Sequence, residues 1–277
     1  MRYVGIDLAW GTRNTTAAVA LEKRGDGLCY LTRHDALTGN DSVADFVQSV
    51  DNGGGLMIGV DAPTRVPNTT GRRPCEAILS RCMRVHEAGA HPANRQLLAG
   101  EHGGVRGETL TVLLHARLGV THTPHVAGES PRTVFEVFPH PAHIALFDLA
   151  KTLKYKRKPG RDRAFRDAVF RRYTDLLHGL QAGDPALVLP DTLTPDPATF
   201  PTEVLLKRHE DFLDAVTCAY VAAYHHRWHG TKSVVVGDTA HGYIVTPATD
   251  AMKQCFGAAM DAIQSTQEGN GGDTAGV

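Results

Sequence analysis

Two aspartates close two apolar runs of the same design. In "RYVGIDLAW", residues 2–10, Val4 and Ile6 alternate with Tyr3 and Gly5, and Asp7 ends the run. In "LMIGVDAPT", residues 56–64, an apolar run, a glycine and a β-branched residue end on Asp61. Short apolar runs of this kind read as buried strands. A carboxylate at the end of one is costly unless it is hydrogen-bonded, paired or bound to a metal. One such aspartate ordinarily caps a turn or a helix; a matched pair points to a shared ligand. Farther along, "KRHEDFLDAVTCAYVAAYHH" sets Asp211 and Asp214 three residues apart, on one face of a helix and within reach of one ligand. Glu136 sits inside a further apolar run, "RTVFEVFP". Converging carboxylates without cysteine or histidine at ligand spacing suit a hard, oxygen-preferring cation, Mg²⁺ or Mn²⁺.

The face that carries Asp211 and Asp214 can be read in two ways. Leu205, His209, Phe212, Leu213, Val216, Ala219, Tyr220 and Ala223 form a broad apolar side roughly opposite, which would leave the aspartates in solvent. Yet Ala215, Cys218 and Ala222 continue the aspartate stripe with small side chains. A helix that is apolar nearly all round is a buried one. Small residues would let it approach a sheet closely, with both carboxylates over the sheet edge. Glu136 is open between a fifth ligand, an acceptor behind the ligands, and a buried group satisfied by Arg72, Arg73 or Arg95.

The elements that must position these groups follow from periodicity and turn residues. Strands are expected at 2–8, 15–23 and 28–34, the last two joined by a turn at "RGDG". A helix over "VADFVQSV", capped by Asp41 or Ser42, is broken by Gly53 to Gly55 before a fourth strand ending at Asp61. Helical patterns at 74–86 and 106–119 flank a loop containing "HPANR", and a fifth strand covers 132–139. A short helix, a helix near 161–179, a Pro-rich linker at 184–201 and a long helix at 202–228 follow, then strands at "KSVVVGD" and "GYIVTP". The expected organisation is a single domain over 1–250 with helical insertions at 62–131 and 139–201. A helix remnant and flexible tail would fill 251–277. The plan is α/β, and its element order is that of the ribonuclease H fold: a mixed five-stranded central sheet of order 3-2-1-4-5. Strands one and four then lie side by side, with Asp7 next to Asp61 at the edge where open α/β sheets bind ligands.

At 277 residues, 42% hydrophobic and 21% charged, the chain has the composition of an ordinary soluble globular protein. It has no 18-residue apolar run and no signal-peptide pattern, so no membrane span and a cytoplasmic location are expected. Its five cysteines, at 29, 75, 82, 218 and 255, are scattered and odd in number, as suits reduced thiols. The net charge of −1 hides a basic segment, residues 151–172, with ten Lys or Arg against two Asp. This is either a solvated helix face or a phosphate-binding surface, in which Lys154, Lys156, Arg157 and Lys158 would hold a nucleic-acid backbone. Cys75, Cys82, His86 and His91 have gaps that fit no standard zinc finger. The triple glycine precedes a strand rather than opening a helix, and neither a P-loop nor a G-x-S-x-G elbow is present. Trp10 could stack on a base or serve as an apolar cap.

The run Asp211-Phe-Leu-Asp214-Ala215 resembles the closing motif of RuvC-type Holliday junction resolvases. The wider pattern is more similar to a family of predicted ribonuclease H-like nucleases, domain of unknown function four-twenty-nine. The matching pieces are "GIDLAWG", "GVDAPTRVPNTTGRRPCE", "HPANR", "FEVFPHP", "KYK", "HEDFLDAVTCAY" and "GYIVTP", in order from residue 5 to 247. Glu76 stands where an aspartate is expected. The resemblance implies a metal-dependent nuclease that hydrolyses phosphodiester bonds by a two-metal mechanism, leaving a 5′-phosphate and a 3′-hydroxyl. Asp7 would bridge the ions, Asp61 would bind one, and Asp211 with Asp214 would complete the other. It also implies a nucleic-acid partner and a homodimer if the chain acts as a resolvase. Two rivals share the fold. One is an actin-like or sugar-kinase-type ATP phosphotransferase, echoed by "DLAWGT" but with two extra residues before Gly11 and no second three-strand series in 139–277. The other is a non-catalytic nucleic-acid- or protein-binding module.

Overall fold

The computed structural model describes residues 1–11, 14–99 and 104–270, without the side chains of 264 and 266–270. The chain opens with β1 (Arg2–Asp7), β2 (Thr16–Arg24) and β3 (Gly27–Leu37), then α1 (Gly39–Val50) and β4 (Leu56–Asp61). Next come α2 (Pro74–Cys82), α3 (Arg95–Leu98), α4 (Arg106–Leu118), β5 (Thr121–His122), β6 (Arg132–Glu136) and α5 (Pro139–Leu146). It closes with α6 (Arg163–Gly179), β7 (Ala186–Val188), α7 (Glu203–Arg227), β8 (Ser233–Asp238), β9 (Gly242–Pro247) and α8 (Asp250–Asn270).

These strands build a mixed, mostly parallel sheet of order β5-β6-β4-β1-β2-β3-β7, with β8 and β9 as a separate antiparallel pair. The sheet therefore has seven strands rather than five. The five expected strands lie next to one another, and β5 and β7 extend the two edges. Both additions are too short, at two and three residues, to leave an alternation in the sequence. β7 falls inside the stretch read as a Pro-rich linker. β2 is antiparallel to β1 and β3, whereas β4 is parallel to β1 and β6 is parallel to β4.

Alternation along β1 sorts its side chains onto two faces. Val4, Ile6 and Leu8 join Val43 and Val47 of α1 and Leu110 and Leu114 of α4 in one core cluster. Tyr3 belongs to the opposite cluster, with Ala215, Val216 and Ala219 of α7. Gly5 and Asp7 share the Tyr3 face, so they lie under α7. Helix α7 is buried all round from His209 to Ala223, which resolves the two readings of its aspartate face.

The contact between α7 and the sheet is backbone on backbone. A Cβ at Gly5 would overlap Ala215 O and Ala219 N, and one at Gly59 would lie 2.7 Å from Cys218 O. Gly5 and Gly59 are register partners on β1 and β4. Together they form a floor with no side chains, onto which the Ala215, Cys218 and Ala219 stretch of the helix settles.

Several boundaries differ from expectation. The N-cap of α1 is Thr38, not Asp41 or Ser42; Asp41 pairs with Arg117 and the Ser42 hydroxyl donates to Thr38 O at 2.5 Å. The 74–86 pattern breaks into α2 and a 3₁₀ turn at Arg84–His86, and strand five stops at Glu136 because Pro139 opens α5. The segment taken as a helix remnant is α8, of 21 residues; the tail beyond 270 lies outside the described residues. Cys82 and Cys255 form a disulfide that ties α2 to α8, so the all-reduced expectation fails for these two. Cys82 is thereby also removed from any zinc quartet. Cys29, Cys75 and Cys218 are free thiols.

Replacing Gly5 by Ala should push α7 off the sheet and cost about 1–3 kcal/mol or more. Gly11→Ala, where an added Cβ meets nothing within 4 Å, serves as the control. Urea unfolding midpoints measure both, and equal midpoints would refute the close-packing account.

Candidate active site

Asp7 and Asp61 are the last residues of two adjacent parallel strands and are register partners, on strands that lie about 4.8 Å apart. Period-two alternation puts both on the α7 side, two residues beyond the glycine floor. Because α7 lies so close, Asp211 and Asp214 on its aspartate stripe reach this edge. Asp214 is fully buried and Asp211 and Glu210 nearly so, at 0%, 7% and 4% exposure.

Each helix carboxylate has its own partners. The Tyr155 hydroxyl donates to Asp214 Oδ1 at 2.6 Å, and the Tyr173 hydroxyl reaches the same oxygen at 3.3 Å. Asp214 Oδ2 pairs with Lys156 Nζ at 2.9 Å and has no other partner among the described residues. Lys207 pairs with Asp211 one turn along α7 and with Glu210 at 2.8 Å.

The electrostatics separate the strand carboxylates from Asp214. Burial, then the charges of Asp211, Asp61 and Asp214, hold the Asp7 carboxyl well above the usual carboxylate range. Burial also pushes Asp61 up, to about 7, with Asp214 and Glu136 adding to it and Lys156 opposing. Burial acts upward on Asp214 too, but Lys156, then His143 and His140, and the Tyr155 hydrogen bond outweigh it and hold this group below its ordinary value. Lys156 is held well above its ordinary value against burial, by Asp214, Asp7 and Asp61 in turn.

The other expected site residues separate. Glu136 lies in a buried ionic network: Arg73 Nη1 and Nη2 donate to its two oxygens at 2.8 and 2.7 Å, and Thr64 N donates at 2.9 Å. Arg73 Nε donates to Glu76 Oε1 at 2.7 Å, and Glu76 Oε2 also accepts from Ala93 N at 2.9 Å. Of the readings open for Glu136, the buried group satisfied by Arg73 matches this geometry. The network anchors the chain that follows Asp61. In the basic segment, Lys154 pairs with Glu87 at 2.8 Å, Lys156 turns into the acidic site, and Lys158 is exposed. Arg157 lines a cleft of about 590 Å³ together with Asp7, Asp211, Arg166, Lys207 and Arg208. Trp10, 47% exposed, borders a small slot beside Asp61 with Pro63, Phe138 and Ile244.

Sequence reasoning missed Lys207, Arg208, Glu210, Tyr155 and Tyr173. Lys207 and Glu210 had a usable signal, the i,i+4 and i,i+3 spacings of Lys207 to Asp211 and Glu210. The tyrosines had none, because their hydroxyls meet Asp214 only through the packing of α6 and its preceding loop against α7. Among the described residues, no three His, Cys, Asp or Glu side chains are set as they stand to hold a metal ion.

Fold and site together define an α/β protein with an acidic cluster at the carboxyl ends of two central parallel strands, facing a basic-lined cleft. Residues 5–241 match the family described as Protein of unknown function (DUF429), and the chain belongs to that family. No curated protein and no solved structure matches it. Among the described residues, no helix is long and apolar enough to cross a membrane.

Because Asp61 titrates near 7 when folded, well above its ordinary value, the folded chain holds this proton to higher pH than the unfolded chain does. The resulting penalty is absent below about pH 4, grows as pH rises, and is complete above about pH 7. In EDTA, Asp61→Asn should therefore raise Tm by roughly 3–8 °C at pH 8, and the gain should shrink toward pH 4. A Tm difference that does not change with pH would contradict the assignment.

Proposed function

We propose that this chain is a divalent-metal-dependent nuclease of ribonuclease H-like architecture, hydrolysing phosphodiester bonds of nucleic acid by a two-metal mechanism. The observation that carries the reading is the in-register pair Asp7 and Asp61 beneath Asp211 and Asp214, with Asp7 and Asp211 lining a cleft shared with Arg157 and Arg208. The neighbouring strands β3-β2-β1-β4-β6, crossed by a long helix, support the architecture.

The residues fit Mg²⁺ or Mn²⁺. The donor set is all carboxylate oxygen, the hard ligand type these ions prefer. Asp214 Oδ2 is met by the Lys156 ammonium alone, at 2.9 Å, and the crowding that lifts Asp7 and Asp61 is what a bound cation relieves. Asp7, Asp61, Asp211 and Asp214 would hold the metal, which when bound polarises the phosphate and makes a nucleophile available from water at neutral pH. The chain itself supplies the remainder. Tyr155 and Tyr173 orient Asp214, and the tight α7–sheet contact excludes water behind the carboxylates. Arg157, Arg208 and the exposed Lys158 can take phosphate oxygens along the cleft.

One observation favours a second reading. Lys156 and Lys207 already neutralise part of the cluster, as they would in a binding module that kept the fold without the chemistry. A phosphotransferase finds less support, since the β1–β3 meander occurs once among the described residues.

A cleavage panel of four-way junction, duplex, single-stranded DNA, RNA and RNA–DNA hybrid, in Mg²⁺ and in Mn²⁺, separates these readings. The nuclease should cut at least one substrate, and Asp7→Asn should lower the rate by at least about 100-fold. Binding without cutting by folded protein would select the module.

A further inference from the structure

Lys156 and Lys207 enter the acidic cluster from different elements, Lys156 from the loop before α6 and Lys207 from the start of α7. They divide the cluster between them. Lys156 Nζ stands 2.9 Å from Asp214 Oδ2, and its charge is met first by Asp214, then by Asp7 and Asp61. Lys207 pairs with Asp211 and Glu210, and beyond these its charge is met by Asp7. A lysine that served the nucleic-acid backbone would leave its ammonium in the cleft. Lys156 instead ends on an oxygen of a fully buried carboxylate that has no other partner among the described residues.

We propose that Lys156 and Lys207 are resident counter-cations that stand in for the divalent ions, and that metal binding exchanges them out of the cluster. The inference rests on the metal-dependent reading above. Five carboxylates, at residues 7, 61, 210, 211 and 214, sharing one sheet edge repel one another. With no metal bound, two ammonium groups keep the site assembled. An ammonium left beside a doubly charged ion would repel it, so the ion and the lysine compete for the same oxygens. Lys207, with 57% of its side chain exposed, can swing into the cleft with little loss of packing. Lys156, at 31%, leaves less easily. Once released, each adds a positive charge to the wall that already carries Arg157 and Arg208. The exchange therefore couples metal loading to a stronger hold on phosphate.

The test is calorimetric titration with Mn²⁺, without nucleic acid, of the parent chain, Lys156→Met, Lys207→Met and Lys154→Met. Lys154 pairs with Glu87 outside the cluster. Loss of either resident cation should tighten Mn²⁺ binding by roughly tenfold or more, and Lys154→Met should bind as the parent does. Thermal melts give a second readout. Without metal, Lys156→Met should melt below the parent at pH 8 and recover more than the parent does on adding Mn²⁺. Lys207→Met keeps the test decisive even if Lys156→Met does not fold, because Lys207 is exposed. Equal or weaker Mn²⁺ binding by the cluster variants, with the parent binding, overturns the exchange and leaves the metal-dependent reading standing. No Mn²⁺ binding by any of the four proteins overturns both.

Discussion

The arrangement depends on how closely one helix backbone approaches one sheet. Side chains normally hold a helix a full side-chain layer away from the sheet it covers. Here the register partners Gly5 and Gly59 remove the side chains from one side of the contact. Ala215, Cys218 and Ala219 keep them small on the other. Everything at the site is measured from that contact. Asp7 and Asp61 lie two residues beyond the glycines on the same face, and Asp211 and Asp214 lie within a turn of Ala215. A helix held a side-chain layer higher would carry its carboxylates away from those of the strands, and the cluster would come apart.

Bringing like charges together at a water-poor edge works against stability, and the chain offsets it locally. Lys156, Lys207, Tyr155 and Tyr173 meet the helix carboxylates directly. Asp7 and Asp61 have no such bonded partners among the described residues, and they are the groups whose carboxyls are pushed up. This division marks the strand pair as the under-compensated half of the site, the part a bound cation would stabilise most. Functional sites commonly carry such a deficit. A second buried ionic cluster, Arg73 with Glu76 and Glu136, has the opposite character. The two carboxylates share one guanidinium and also accept backbone N–H donors. It behaves as a rivet for the loop after Asp61, and Glu76, one methylene longer than the aspartate expected at its position, reaches both Arg73 and Ala93.

The basic segment shows how charge counts mislead when read along the chain. Its excess left open a solvated helix face or a phosphate-binding surface. Much of it is spent internally: Lys151 and Lys154 on Glu87, Lys156 on Asp214, Arg163 on Asp167, Arg166 on Glu203 and Arg171 on Asp196. Among the described residues, the positive charge left to face the cleft comes instead from Arg157 of that segment and Arg208 of α7.

What the amino-acid sequence determined by itself was local. Alternation set β1 and β4 and put glycine and aspartate on one face of each. Periodicity and small residues put the two carboxylates of α7 on a small-residue stripe, and left open whether that face meets solvent or the sheet. Those patterns repeat over two to four residues, within reach of backbone geometry alone. Tertiary structure decided what has no such period. It set the extra edge strands β5 and β7, which pair only because neighbouring backbone offers hydrogen bonds. It made the Cys82–Cys255 disulfide, which joins residues 173 apart. It also sent Lys156 inward to Asp214 while Arg157 beside it faces the cleft. Side-chain direction in a loop is set by the surfaces that close around it, and those exist only once the chain has folded.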